Sequence, residues 1–308
     1  VCGGENIEDL WGECCLEEEQ DCNGVCGGAA VEDCAGVCGG TSVVDDCGVC
    51  GGENASMDEC GVCDGPGPDE NYDCDGNFIG TFVQVIHNSA SPTVDIYIDG
   101  ALTVDGFEYR TATPVIELPA SFNVGIASVG DTTIIAEFPF DLASGGSYVV
   151  VATGLLGDDT TPFTLAATST TFGASSGDLV GLEVYHGSTD APAVDILVDA
   201  NAGVVLVPSL AYNSFSGYVE VPVADYTLGV APAGGSAIAA FTAPLSELGG
   251  GTAVAFASGF LYPADDQPAF GVFAALTDGT VLELPSVEQD CAGSWGGASL
   301  VDECGVCD

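Results

Sequence analysis

The chain has 308 residues, 47% of them hydrophobic, enough for two or three domains with buried cores. Its 47 acidic residues face a single cation, Arg110, for a formal charge of −46. That field excludes nucleic acid and anionic membranes as electrostatic partners and leaves cations as natural ones; the lack of lysine also rules out Lys–Asn isopeptide staples and gives a trypsin-like protease one site.

Residues 1–78 form a Cys/Gly/Asp-rich segment. Its clearest stretch, DCNGVCGGAAVEDCAGVCGGTSVVDDCGVCGG (21–52), repeats every twelve or thirteen residues. No apolar run reaches the roughly 18 residues that a membrane span needs. The chain starts without an initiator Met, and both ends fall inside the repeat, so it reads as a processed portion of a longer secreted polypeptide.

The repeat resembles D-C-x-G-V-C-G-G runs of large secreted bacterial surface proteins, some with acidic calcium loops similar to thrombospondin type 3 repeats. Cys2, Cys26, Cys38, Cys50 and Cys63 precede Gly or Asp-Gly and act as openers; Cys14, Cys22, Cys34, Cys47, Cys60 and Cys74 mostly follow an acid and act as closers. Pairing each opener with the next closer predicts Cys2–Cys14, Cys26–Cys34, Cys38–Cys47, Cys50–Cys60 and Cys63–Cys74, with Cys15 closing on Cys22. Sequence alone does not fix pairing. The rival is zinc or iron–sulfur at the C-x2-C pairs Cys47/Cys50 and Cys60/Cys63. Against it, the spacing grades into C-x3-C, and thiols of a secreted chain oxidise. In the C-terminal segment, 288–308, Ser294-Trp295 replaces the expected Val-Cys; Cys291 is then predicted to pair with Cys304, leaving Cys307 to reach another subunit or a downstream closer.

Asp21, Asp33, Asp46, Glu59, Asp73, Asp290 and Glu303 each precede a cysteine, with Asp58 beside Glu59. Stacked repeats would align these acids as a rail. Carboxylates about 5 Å apart repel by roughly 3 kcal/mol at an effective dielectric of 20, so calcium, which takes carboxylate, carbonyl and water oxygens, is the expected cofactor. The densest candidate is PDENYDCDGN, with Asp69, Asp73, Asp75 and Asn77, although the distal Glu of a calcium loop is absent. Asn54-Ala55-Ser56 has the form of a glycosylation sequon.

Residues 79–287 lack cysteine and alternate apolar and polar positions. VQVIHNSASPTVDIYIDG (83–100) aligns with LEVYHGSTDAPAVDILVDA (182–200), matching His87 to His186, Pro92 to Pro192, Asp95 to Asp195 and Asp99 to Asp199, a period of 99 to 100 residues. About seven strands per copy are predicted, in the first near 81–87, 93–99, 114–118, 122–128, 133–138, 147–154 and 163–168. The fold class is therefore all-β: two tandem Ig-like β-sandwich domains, 79–172 and 178–287, flanked by irregular disulfide-rich, calcium-binding repeat segments. The signature around His87 and His186 resembles a family of uncharacterised bacterial extracellular domains, a domain-of-unknown-function family often found in tandem. The resemblance implies location and fold and assigns no reaction.

Other chemistry is sparse. His87 and His186 stand at strand ends before Ser/Pro turns, where histidine usually ties down loop backbone. GASSG (173–177) matches G-x-S-x-G but lies in a small polar linker without the helix a nucleophile elbow needs. No convergent catalytic set emerges, and no enzyme is expected. The function expected is a structural subunit of an extracellular filament or surface fibre, a head-to-tail homopolymer bridged by calcium. The alternative is the stalk of a secreted adhesin, binding glycan or protein through aromatics such as Tyr212, Phe215 and Tyr218.

Overall fold

A computed structural model describes residues 2–90, 92–303 and 305–307. It divides into two compact units, Val1–Asn77 and Phe78–Asp308.

The first unit has almost no regular structure. A two-residue ladder joins β1 (Ile7–Glu8) to β2 (Cys14–Cys15), a 3-10 turn covers Glu17–Glu19, and turns make up the rest. Its only buried side chains among the described residues are Asp9 and Cys15. An apolar core cannot hold such a segment; covalent links must.

The second unit holds two sandwiches built alike. The first comprises β3 (Thr81–His87), β4 (Val94–Ile98), β5 (Ala101–Phe107), β6 (Thr111–Ala112), β7 (Ile116–Leu118), β8 (Ser121–Ser128), β9 (Ile134–Asp141), β10 (Ser147–Thr153) and β11 (Thr164–Ser169). One sheet runs β5-β4-β8-β9; the other runs β11-β10-β3, with β6 and β7 both on the far edge of β3 and β3 parallel to β10. The second comprises β12 (Leu179–His186), β13 (Val194–Asp199), β14 (Val204–Leu210), β15 (Ser214–Phe215), β16 (Val219–Pro222), β17 (Asp225–Pro232), β18 (Ala239–Pro244), β19 (Thr252–Ser258), β20 (Gly271–Leu276), β21 (Val281–Glu283) and β22 (Ser286–Val287). Its sheets follow the same plan, β14-β13-β17-β18-β22 against β21-β20-β19-β12, with β15 and β16 on β12.

Strand β5 was not among the predicted strands. Asp105-Gly106 interrupts its alternation, and its register against β4 shifts between Val94, Ile96 and Tyr97. A bulge of this kind hides a strand from a period-two reading.

The four sheets stack as layers. Even and odd residues of β3 serve two cores: Val83 joins Val94, Ile96 and Phe122 inside the first sandwich, while Ile86 joins Val149 and Val151 on the opposite face. That opposite face packs on Tyr185, Val254, Phe256 and Phe273 of the second sandwich. The inner sheets are thus buried on both sides, which explains why YVVVAT reads as a continuous apolar run. Asn88 Nδ2 to the Ala257 carbonyl (3.0 Å), Val115 N–H to that of Thr277 (2.9 Å) and Gln84 Nε2 to that of Leu276 (2.6 Å) cross the same boundary. The intervening linker is docked rather than free: Phe172 joins the shared core and Ser175 bonds Glu220 through both its N–H and its hydroxyl.

Candidate functional site

In the repeat segment the functional unit is a turn built on one aspartate. Asp33 Oδ1 accepts the amides of Ala35 (3.0 Å) and Val37 (2.9 Å), and Oδ2 that of Ser42 (3.0 Å). The same offsets of two, four and nine residues recur at Asp21, Asp45, Asp58 and Asp290. Asp9 bonds two and four residues ahead and then reaches the Cys26 amide at 3.2 Å. These amides hold the carboxyls of Asp9, Asp21, Asp33, Asp58 and Asp290 below the usual range, the amide four residues ahead being the largest cause. Asp73 is lowered chiefly by the Asn77 side-chain amide, which donates to Oδ2 at 2.9 Å.

This geometry explains the glycines. Three residues after each aspartate a glycine adopts positive φ, as Gly36 does at 75°. Seven residues after it another glycine leaves space for the carboxylate: a Cβ on Gly28, Gly40, Gly65 or Gly297 would overlap Oδ2 of Asp21, Asp33, Asp58 or Asp290. The recurring acid is therefore the one three residues before glycine. Of the acids in front of cysteines, Asp21, Asp33, Asp73 and Asp290 stand at this position; in the other repeats it is held by Asp45, Asp58 and Asp302, and Asp46, Glu59 and Glu303 are exposed neighbours. Asp69 and Asp75 are also exposed. Among the described residues no three or more His, Cys, Asp or Glu side chains converge as a metal site.

The disulfides join successive turns, not the ends of one loop. Cys2–Cys14 is as expected, but Cys15 pairs with Cys26, Cys22 with Cys38, Cys34 with Cys50, Cys47 with Cys63 and Cys60 with Cys74. The expected Cys15–Cys22, Cys26–Cys34, Cys38–Cys47, Cys50–Cys60 and Cys63–Cys74 links are thereby replaced. The rule that sought the shortest loops failed because the two cysteines of one turn bond in opposite directions: Cys34 bonds forward to Cys50, and Cys38 backward to Cys22. Loops of 11 to 16 residues thus overlap along the segment.

The C-terminal repeat follows the same rule. Cys291 pairs with Cys307, which overturns both the Cys291–Cys304 link and the assignment of Cys307 to another subunit; Cys304 lies outside the described residues. A signal was available in the sequence. Trp295 occupies the backward-bonding position of the first turn after the sandwiches, where residues 79–287 supply no cysteine upstream. Asn201 makes the link instead, its Oδ1 accepting the Trp295 amide (2.7 Å) and its Nδ2 donating to the Trp295 carbonyl (3.1 Å). Asn54 of the sequon is likewise engaged, its Nδ2 donating to Asp46 Oδ2 at 3.0 Å.

In the sandwiches, His87 and His186 are buried. Burial pushes His87 down to about 4 and lowers His186, so both rings are neutral near pH 7. His186 Nε2 lies 3.1 Å from the Pro192 carbonyl, a loop tie. Asp95 and Asp195 fasten loops as well: Asp95 accepts the amides of Gly106 and Gly130, Asp195 those of Ser209 and Gly234. These contacts hold both carboxyls below their ordinary values. The aromatics considered for ligand binding are packed inward, Phe215 4.7 Å from Tyr185 and the Tyr218 hydroxyl on the Gly173 carbonyl at 2.7 Å. Tyr212 stands edge-on to His186 at 6.4 Å.

The family "Domain of unknown function (DUF4397)" matches residues 81–179 and again 180–273. The chain belongs to this family and carries two copies of its domain. No curated protein matches the chain. Sequence reading missed Glu183, wholly buried between the sandwiches on the outward face of β12, near Thr170 and Ser216. Burial pushes its carboxyl up to about 7. The only hint was the alternation of β12, which places Glu183 on the face opposite Leu182. Seven disulfides among the described residues indicate a non-cytoplasmic chain, and no helix among those residues is long and apolar enough to cross a membrane.

Proposed function

We propose that the chain is a non-enzymatic structural subunit of an extracellular filament or surface fibre. The observation that carries this reading is the linkage of each aspartate turn to the next by a disulfide. Such a segment keeps its order without a hydrophobic core, and it suits a spacer exposed to proteases and changing solvent. The same unit resumes after the sandwich pair, so spacer and rigid block alternate along the chain.

At −46 charges, copies of this chain repel one another unless cations intervene. The turn aspartates are committed to backbone amides. The exposed Asp46, Glu59, Asp69, Asp75 and Glu303 are the groups that calcium would bridge between copies, since it accepts about six to eight oxygens in irregular geometry.

Electron microscopy of the purified chain with calcium and with EDTA tests the proposal. Head-to-tail fibres that form with calcium and disperse with EDTA support it. Particles that stay single under both conditions overturn it, and if they also bind glycans the chain is a stalk with recognition modules.

A further inference from the structure

The second sandwich encloses a cavity of about 370 Å³. The corresponding space in the first, bounded by Val83, Val85, His87 and Ile96, measures about 20 Å³. The difference follows from residues at matching ladder positions. In the first sandwich Phe122 pairs with Phe140, their rings stacked at 5.3 Å, and Val85 pairs with Val150. In the second the same positions are Tyr226 with Ala243 and Val184 with Ala255. Alanine thus stands where the first copy has phenylalanine and valine, and although Leu182 and Leu228 replace the smaller Val83 and Val124, the space between the sheets stays open.

Underpacking on this scale forfeits dispersion contacts on every wall unless a guest restores them. An apolar cavity of about 150 Å³ stays dry and takes benzene, and ligand sites run from about 300 to 1,000 Å³. The walls are Leu228, Val230, Phe241 and their neighbours, with His186 neutral among them. One end reaches the surface beside Ile238 and Tyr262, which are 65% and 81% exposed. Asp190 fixes that rim, accepting the amides of Leu261 (2.7 Å) and Tyr262 (2.8 Å). No cation lines the cavity, so a carboxylate headgroup would meet only acid at the mouth.

We propose that the second sandwich is a binding site for an uncharged hydrocarbon chain, of the kind carried by an alkane or a long-chain alcohol. The space between the two sheets of the first sandwich is filled by its own side chains. The inference is independent of assembly into fibres.

The test uses the full chain and Nile red, an uncharged fluorophore, displaced by 1-decanol. The expected result is one Nile red bound per chain, displacement by decanol, and a melting temperature that decanol raises. Ala243→Phe with Ala255→Val, which restores the residues of the first copy, should weaken binding at least tenfold while the folded protein melts no lower. If the double variant fails to fold, Ala255→Val alone should still weaken binding. Absence of binding to the natural chain, or binding that either folded variant leaves unchanged, overturns the proposal.

Discussion

The guanidinium carbon of Arg110 lies 4.4 Å from the ring centre of Phe273, so the only cation of the chain clasps one sandwich to the other. Its Nη2 donates to the Ala269 carbonyl (2.6 Å) and its Nε to Ser258 Oγ (3.1 Å), while Tyr109 flanks it at 4.9 Å. A planar donor that both stacks and bonds in two directions is a role for arginine, not lysine. Arg110→Lys should therefore lower stability by about 1–3 kcal/mol, the range of a partly desolvated cation–π contact with charged hydrogen bonds. Thermal denaturation measures this. A lysine variant as stable as the natural chain would refute the clasp.

The same contact predicts slow digestion. The folded chain should resist trypsin, because its one cleavage site is held between domains, and unfolding should release two fragments split at Arg110. Rapid cleavage of the native chain would show the clasp to be open in solution.

Glu183 gives the sandwich pair a pH dependence of definite sign. Its folded value, about 7, exceeds the ordinary 4.5. The stability linked to its neutral form is complete below about 4.5 and lost as pH rises through about 7, by on the order of 3 kcal/mol at most. Glu183→Gln places in β12 the residue that β3 carries at Gln84, and should flatten that decline in melts between pH 5 and 8. An unchanged slope would remove Glu183 as its source.

On the acid side the signs reverse. Buried neutral His87, held to about 4, contributes stability that is complete above its ordinary 6.5 and declines as pH falls from there toward 4. The carboxyls of Asp21, Asp33 and Asp58, lowered by backbone amides, contribute stability present above the ordinary carboxylate value and lost only as pH falls through their lower folded values. Hydrogen exchange across a pH series should find the sandwich pair loosening first and the turn ladder persisting to lower pH. Loosening in the opposite order would contradict these assignments.

The turn ladder itself is tested by Gly40→Ala. The added methyl occupies the space of the Asp33 carboxylate, so oxidative refolding should yield scrambled disulfides around Cys34 and Cys50. Peptide mapping of the natural chain should recover Cys22–Cys38 and Cys34–Cys50, and recovery of Cys26–Cys34 instead would disprove the interleaved ladder.

Alternating apolar residues placed seven of the nine strands of the first sandwich, all but β5 and β6, because each sandwich buries one face of every sheet, and the repeated signature around His87 and His186 marked two copies. The density of cysteine and the absence of apolar periodicity in residues 1–78 required covalent order there. The spacing of Asp three residues before Gly was also legible, although the acid beside each cysteine drew attention away from it. Other properties depended on where distant segments meet. Disulfide pairing followed from the opposite bonding directions of the two cysteines in one turn, which a shortest-loop rule does not capture. Burial of Glu183, the placement of Arg110 and the docking of the linker arose because the outer faces of β3 and β12 meet each other. The cavity came from alanines whose cross-strand partners lie far away in sequence; only when both sheets are assembled does it become plain that no side chain fills the space between them.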